Sequence, residues 1–140
     1  MRILIAALVM LSVVGICYAE VTYNINRDDA GMAKTMDRVC RLVPQVLGLK
    51  NDIHIKVVVL DRKNLSDMYY RTNLGEVPKA FYIEIEKTIY IDERYFVSGV
   101  LAHEVAHALM DEYFVQPVPY LIAEMVCNEV ERTVANMKGR

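Results

Sequence analysis

The feature that most constrains this chain is a pair of histidines, four residues apart, in an apolar segment. His103 and His107 enclose the run His-Glu-Val-Ala-His, and Glu104 is the only charged residue between positions 96 and 110. On an α-helix, residues i and i+4 share one face about 6 Å apart along the axis, so both imidazoles can bind one metal ion. Glu104 is rotated by about 100° from His103, which keeps it from binding the metal but leaves it near a metal-bound water. The segment predicts a helix with a zinc site and Glu104 as general base.

The alternative interpretation is a structural pair of buried core histidines. Burying a carboxylate and two imidazoles without partners would cost several kcal/mol, and a bound cation would remove that cost. The chain has three histidines, and two of them lie in this motif. We therefore favour a metal site with one Zn²⁺ per chain.

The N-terminal segment has the pattern of a secretory signal peptide. Residues 1–19 combine a basic second residue, a long apolar core and small residues at Cys17 and Ala19. This pattern predicts cleavage after Ala19, export to the periplasm or the medium, and one domain over residues 20–140. The apolar stretch 3–16 is shorter than the about 20 residues of a membrane span, so we expect no stable membrane insertion after cleavage.

The net charge bears on the binding partners of the protein, and the cysteine content raises the possibility of a disulfide. The net charge is −2, and without a basic patch we expect no nucleic acid partner. Cleavage would leave two cysteines, Cys40 and Cys127, in an oxidising compartment. They could form a disulfide, or both could be small buried side chains on apolar helix faces. The sequence gives no Cα separation that would decide between these two.

Hydrophobic periodicity predicts a small α+β domain. Pro44 lies inside the first predicted helix and indicates a kink or an early end. The last two strands are expected to form a hairpin with Glu86 and Lys87 as its turn. The predicted helices are 28–49, 64–70, 95–113 and 120–137, and the predicted strands are 54–60, 80–85 and 88–92.

A catalytic zinc site needs a third protein ligand. Asp111 continues the histidine row, but it lies about 12 Å along the axis from His103, too far to share one ion. The metzincin motif would need Gly at Met110 and His at Tyr113, and no histidine follows His107. The third ligand is therefore expected to be a carboxylate on the final helix.

Glu124 is the best candidate for that ligand. It falls one turn into the final helix, after a loop with two prolines that can fold the chain back against the histidine helix. Asn128 lies one turn further on, and Glu129 and Glu131 are the alternative ligands. These polar residues could also form only the solvated face of the helix.

Two segments resemble the gluzincins, the thermolysin-like zinc metallopeptidases, in their minimal single-domain, peptidase MA-like form. LAHEVAHALMD (101–111) is similar to the family's extended helix motif, and PVPYLIAEMVCN (117–128) is similar to the segment that delivers its glutamate ligand. The resemblance covers about residues 79–128. It implies a zincin-like fold, with a mixed sheet, an edge-strand hairpin, an active-site helix, and a following helix that carries Glu124 as the third zinc ligand.

The resemblance also implies side chains that support the metal-binding histidines without binding the metal themselves. Asp111 occupies the family's characteristic acidic position. Asn128 stands where the family often has an aspartate that contacts a ligand histidine. An amide can keep such a hydrogen bond without the charge.

The same resemblance implies a surface for a peptide or protein substrate. The sequence KAFY looks like the family's substrate-binding edge strand, and residues 88–92 look like the next strand of the sheet. An extended peptide could add to such an edge through main-chain hydrogen bonds. A strand simply shielded by its charged residues is an equally good interpretation of the sequence. The substrate-binding residues would be Lys79, Ala80, Phe81 and Tyr82.

The expected activity is hydrolysis of peptide bonds by a zinc-activated water, with Glu104 as general base, in an exported metallopeptidase. Larger gluzincins stabilise the tetrahedral intermediate with a later His and a Tyr. This chain has no later His, so Tyr113 or Tyr120 would have to supply a phenol. The alternative function is a non-catalytic, zinc-containing peptide-binding module of the same fold.

Overall fold

Residues 18–137, which the computed structural model describes, form a four-stranded mixed sheet with four helices. The predicted α+β class and mixed sheet are confirmed. Short 3-10 turns lie at Glu84–Glu86 and Glu93–Tyr95. In chain order the elements are β1 (Val21–Ile25), α1 (Ala30–Leu47), β2 (Ile53–Leu60), α2 (Arg62–Tyr69), β3 (Ala80–Ile83), β4 (Thr88–Asp92), α3 (Ser98–Tyr113) and α4 (Tyr120–Asn136).

The strand order is β1-β2-β4-β3, and only β3 runs antiparallel to its neighbour. Strand β3 pairs with β4 alone, so it forms an edge of the sheet, the position that the resemblance implied for it. At the opposite edge, β1 pairs with β2 from Val21 opposite Ile53. No strand was predicted for this segment, because it is short and only its pairing with β2 makes it part of the sheet.

The hydrophobic core lies between one face of the sheet and the helices α1 and α3, with α4 packed on α3. The alternation of buried and exposed residues along β2 defines this face. Burying each large aliphatic side chain contributes about 1.5–3 kcal/mol, so this face holds the helices in place. Its buried residues include Ile55, Val57, Val59, Ile89 and Ile91 from the strands, and Met36, Val39, Leu101, Val105 and Leu109 from the helices.

Helix α1 is longer than its internal proline suggested. It begins after Asp29, whose carboxylate accepts the Met32 N–H at 2.9 Å. It ends at Gly48, which has a φ of 68° and donates its N–H to the Pro44 oxygen at 2.9 Å. The predicted early end at Pro44 is wrong, because this proline is buried in the last turn and the helix continues to Leu47.

The β3–β4 hairpin has a longer connection than predicted. Strand β3 ends at Ile83, and the Lys87 N–H donates to the Glu84 oxygen at 3.0 Å across a 3-10 turn. A two-residue turn at Glu86 and Lys87 would favour positive φ at both positions, which suits Gly or Asn. Only Lys87 has a positive φ, at 48°. The predicted turn is therefore wrong in length but right in joining two antiparallel strands.

The predicted signal peptide lies mostly outside the described residues. Its last residue, Ala19, is buried and donates its N–H to the Leu49 oxygen at 2.9 Å. A cut after Ala19 would therefore remove one buried methyl group and one hydrogen bond from the folded domain. Between residues 18 and 137, no helix combines the length and apolarity that a membrane crossing requires.

Candidate metal centre

A cleft of about 770 Å³ is bounded by α3, α4 and the open edge of β3. It brings together most of the predicted site residues from three separate parts of the chain. Two predicted site residues, Tyr113 and Asn128, are not part of its lining. The predicted site residues that line it are Lys79, Ala80, Phe81, Tyr82, His103, Glu104, His107, Asp111, Tyr120 and Glu124.

The two histidines of α3 face one another in this cleft. Their Nε2 atoms are 3.2 Å apart, and the side chains are 14% and 20% exposed. The helical spacing of four residues produces this convergence, as predicted. Burial lowers the pKa of His107, and His103 beside it lowers the pKa further, although Glu124 acts in the opposite direction. The result favours a neutral imidazole, the form that binds metal ions.

Glu124 reaches the histidines from α4. Its Oε1 atom is 2.8 Å from His107 Nε2, and its Oε2 atom is 3.6 Å from His103 Nε2. Helices α3 and α4 run antiparallel, so that the start of α4 lies over the middle of α3. This is the carboxylate placement that the sequence analysis expected, and no other carboxylate of the described chain approaches both Nε2 atoms.

Gly99 allows the two helices to approach closely. A Cβ atom at this position would lie 3.3 Å from the Ala135 Cβ and 3.5 Å from a side-chain carbon of Glu131. Gly99 is one turn before His103 on α3, so the contact fixes how near α4 comes to the histidines. The role of this glycine was not predictable from the sequence, because it depends on the packing of the second helix.

Cys127 belongs to the site, which the sequence analysis did not foresee. The ligand atoms of His103, His107 and Cys127 all lie within 4.8 Å of one another, so these residues form a group that could hold a metal ion. Cys127 is fully buried, and burial raises the pKa of its thiol, with the Glu124 carboxylate as the next cause. Cys40 and Cys127 are both buried free thiols and do not form a disulfide with one another.

Glu104 is a buried carboxyl group, only 7% exposed, that lines the same cleft. Burial raises the pKa of Glu104 to about 8, and the Glu124 and Glu131 carboxylates add to that rise. The backbone N–H of Tyr82 lies near the carboxylate and lowers its pKa in part. A cation among these acidic groups would offset their mutual repulsion and favour ionised Glu104.

Glu131 contacts the other nitrogen of His103. Its Oε2 atom is 3.2 Å from His103 Nδ1, but Nδ1 has no hydrogen-bond partner in the described residues. Glu131 therefore lies on the side of the imidazole away from Glu124. Asn128 is exposed on α4, and Glu129 forms an exposed ion pair with Arg132. Glu131, one turn from Asn128 in sequence, is therefore the α4 residue that lies beside His103, where the resemblance expected Asn128.

The edge strand presents backbone groups to the cleft. The Lys79 oxygen accepts the Asp92 N–H at 2.9 Å. This bond fixes the phase of the β3–β4 ladder, that is, which residues of β3 bond to β4 and which face outward. Because an antiparallel ladder alternates, Phe81 bonds to β4 while the N–H and C=O groups of Ala80 and Tyr82 face the open edge. The contact between the Tyr82 N–H and Glu104 agrees with this phase.

The side chains of β3 lie on different faces of the sheet. Phe81 stacks on Tyr90 with 5.4 Å between ring centroids and contacts Tyr69 of α2 edge-on. The Lys79 Nζ atom lies 5.1 Å from the centre of the Tyr95 ring. The ring of Phe81 therefore packs against α2, and its backbone polar groups bond to β4.

The two candidate tyrosines occupy different places. Tyr120, the first residue of α4, lines the cleft and is 78% exposed. Tyr113, the last residue of α3, is 45% exposed and packs edge-on against Phe114 with 5.0 Å between ring centroids. Asp111 lines the cleft, where burial raises its pKa and Glu84 adds to the rise.

Asp92 anchors the chain at the start of the histidine helix. Its fully buried carboxylate accepts the Arg94 backbone N–H at 3.0 Å and two guanidinium N–H groups of Arg94 at 3.0 and 2.7 Å. These side-chain hydrogen bonds lower the pKa of Asp92, and Arg62, 3.9 Å away, contributes a smaller effect. This buried charge is satisfied, and it fixes the turn from β4 into α3.

No protein family matches the chain, and neither does any curated protein or solved structure. The gluzincin resemblance therefore stays a prediction that rests on the two motifs.

Proposed function

We propose that this chain is a zinc-dependent peptidase of gluzincin type, exported from the cell that makes it. In this proposal His103, His107 and Glu124 hold one Zn²⁺ ion, and Glu104 is the general base. One observation carries the proposal: donor atoms from two helices converge in a cleft that also holds a buried carboxyl group and an open strand edge.

The donor atoms fit the dimensions of a zinc site. Zinc is bound by His nitrogen and carboxylate oxygen at about 2.0–2.2 Å, so in a tetrahedral site two such donors lie about 3.3 Å apart. The three separations among His103, His107 and Glu124 are 3.2, 3.6 and 2.8 Å. Two neutral imidazoles and one carboxylate also form a common donor set of catalytic zinc.

The mechanism assigns a proton-transfer role to Glu104. When bound, zinc would act as a Lewis acid that lowers the pKa of a bound water to about 7. Glu104 follows His103 on α3, and its carboxyl group is buried at the cleft. It accepts a proton from the attacking water and then delivers it to the amine that leaves. The burial of Glu104 limits competition from bulk water for this proton.

The open edge of β3 supplies the binding site for an extended peptide. The outward N–H and C=O of Ala80 and the C=O of Tyr82 can form two or more hydrogen bonds with an added strand, while the Tyr82 N–H contacts Glu104. Such bonds recognise the peptide backbone and place a scissile carbonyl over α3. Lys79, at the start of the edge, can contact an acidic group of the substrate.

Tyr120 is the candidate for stabilising the developing oxyanion. It lines the cleft next to Glu124 on α4, whereas Tyr113 packs outside it. Its exposure leaves the side chain free to turn toward a bound substrate. The proposal therefore retains Tyr120 for this role and not Tyr113.

The test combines zinc content with turnover of an unfolded, fluorescently labelled protein substrate. Wild type is expected to hold one zinc per chain, to lose activity on chelation, and to recover it when zinc returns. Glu104→Gln should keep the zinc and lose turnover. Glu112→Gln is the matched control, because Glu112 lies on the same helix but pairs with Lys87 at the surface. Full activity of zinc-loaded Glu104→Gln would contradict the mechanism.

The second candidate function is a zinc-containing module that captures a peptide without cutting it. Two observations favour it. Tyr120 is largely exposed. The third histidine, His54, lies on the exposed face of the sheet, where it forms a hydrogen bond with Thr22. Neither residue is fixed for oxyanion stabilisation. Zinc and peptide binding without turnover in wild type would favour this module.

Export is tested separately from the chemistry. The proposal predicts that the protein recovered from the periplasm or medium begins at Glu20. N-terminal sequencing of that material would show the cut, and a chain retained in the cytoplasm with Met1 intact would contradict export.

A further inference from the structure

Cys127 lies beneath the histidine pair, where it is fully buried. Its sulfur and one nitrogen from each of His103 and His107 lie within 4.8 Å of one another. The proposed zinc ligands do not include this thiol. A buried thiol at a metal cluster raises the question of how many protein donors the site contains.

Helix α4 delivers two donors to the same place. Cys127 follows Glu124 by three residues, so the two side chains share one face of the helix about one turn apart. Glu124 is partly exposed at the cleft, whereas Cys127 is completely buried behind it. The two residues therefore approach the histidine nitrogens from different depths.

The sulfur is close enough to bind after a small movement. Zinc–sulfur bonds are about 2.3 Å and zinc–nitrogen bonds about 2.0–2.1 Å, so a tetrahedral site places S and N about 3.6 Å apart. The observed upper limit of 4.8 Å exceeds this by little more than 1 Å. Rotation of the Cys127 side chain and a slight shift of α4 can cover such a distance.

We propose that Cys127 is a fourth protein ligand, which joins His103, His107 and Glu124 and leaves the resting metal centre closed to water. This inference rests on the proposed function for the other three ligands. Structural zinc sites have four protein donors, whereas catalytic sites keep one position for water or substrate. The resting centre thus resembles a structural site, and water enters only after the Cys127 side chain withdraws.

Cys40 provides the internal comparison. It is also a buried free thiol, but it lies on α1 and is not part of the metal-binding group. If Cys127 were only a small core residue, the two cysteines would behave alike toward a bound metal.

The deciding measurement is X-ray absorption at the zinc edge of the full chain loaded with zinc. We expect one sulfur at about 2.3 Å in wild type, in addition to nitrogen and oxygen donors. The sulfur should persist in Cys40→Ala and disappear in Cys127→Ala. Because the wild-type spectrum decides by itself, a poorly folded variant does not prevent the conclusion.

The outcomes separate this inference from the proposed function. Zinc with only nitrogen and oxygen donors would overturn the role of Cys127 and leave the three-ligand site standing. No zinc in wild type would overturn both.

A closed resting site also predicts an effect on turnover. Zinc-loaded Cys127→Ala has one position open permanently, so its kcat/KM should exceed that of wild type. Cys40→Ala should not differ from wild type. Equal activity of wild type and Cys127→Ala would contradict a closed resting state.

Discussion

The Oε1 atom of Glu124 lies 2.8 Å from Nε2 of His107, although the two residues belong to different helices. The loop with two prolines reverses the chain, and the close approach at Gly99 brings α4 onto α3. The position of the third donor is therefore a property of the helix pair. Changes in the packing of the two helices should alter metal binding even where no ligand is changed.

Glu124→Ala should lower zinc affinity by at least about tenfold, because even loss of a residue that only supports a ligand costs about 10–100-fold. The affinity can be measured by competition with a fluorescent chelator. Asn128→Ala is the control one turn further on: Asn128 is exposed and lies outside the cleft, so we expect no change. The reverse result, with Asn128 important and Glu124 neutral, would show that the ligand assignment is wrong.

Glu131→Gln should lower zinc affinity about 10–100-fold without removing a ligand. The Glu131 carboxylate lies 3.2 Å from His103 Nδ1, and a small rotation of either side chain would let it accept the Nδ1–H and orient the ring toward the metal. Glu129→Gln carries the same change on the exposed ion pair with Arg132 and should leave affinity unchanged. Equal affinities of the two variants would mean that Glu131 does not support His103.

The sequence predicted the helices of the site well, because the spacing and end signals that define a helix lie within the helix or next to it. The motif from His103 to His107 needs only the helical repeat, and Glu124 could be identified from its position after the proline loop. The prediction was weaker where function depends on packing. Cys127 joins the site only because α4 presents one face to α3, and the pattern of one helix does not show which face that is; Glu131 was expected only as an alternative ligand and lies instead beside the far nitrogen of His103.

Two errors in the fold have different physical origins. Strand β1 depends on its pairing with β2, starting at Val21 opposite Ile53, and its sequence alone gives a weak signal. The hairpin turn was placed at Glu86 and Lys87 from the strand pattern. The 3-10 turn that forms there depends instead on the left-handed backbone of Lys87, which composition does not reveal.

Ala80→Pro and Phe81→Pro should separate peptide binding from stability. The Ala80 N–H faces the open edge, so its loss should weaken peptide binding about fivefold, as expected for one hydrogen bond of about 1 kcal/mol. The Phe81 N–H faces β4, so its loss should lower the melting temperature. Binding can be measured by fluorescence anisotropy of a labelled peptide with both variants in the Glu104→Gln background, which removes turnover.

The result depends on the phase of the β3–β4 ladder, which the hydrogen bond from Asp92 N–H to the Lys79 oxygen fixes. If Phe81→Pro weakened peptide binding while Ala80→Pro melted the protein at a lower temperature, the phase would be reversed. Unchanged binding in both variants would show that the substrate does not use this edge.

Asp92→Asn should destabilise the protein at neutral pH and have little effect in acid. Arg94 holds the pKa of Asp92 below its usual value, which is about 3.9 in unfolded chains. The ionised carboxylate therefore adds to the free energy of unfolding above about pH 4, and this contribution falls as pH drops through the folded-state pKa. Once protonated, Asp92 is neutral like asparagine, so the two proteins should converge in stability.

Urea unfolding between pH 7 and pH 3 measures this difference, with both proteins free of metal so that zinc binding does not contribute to the curve. Glu93→Gln, which breaks the exposed pair with Arg27, is the control and should change stability by less than about 1 kcal/mol at any pH. A constant difference between wild type and Asp92→Asn would mean that lost packing, and not the charge, is responsible. A difference that shrinks only in acid would show that the ion pair at the end of β4 holds the start of the histidine helix.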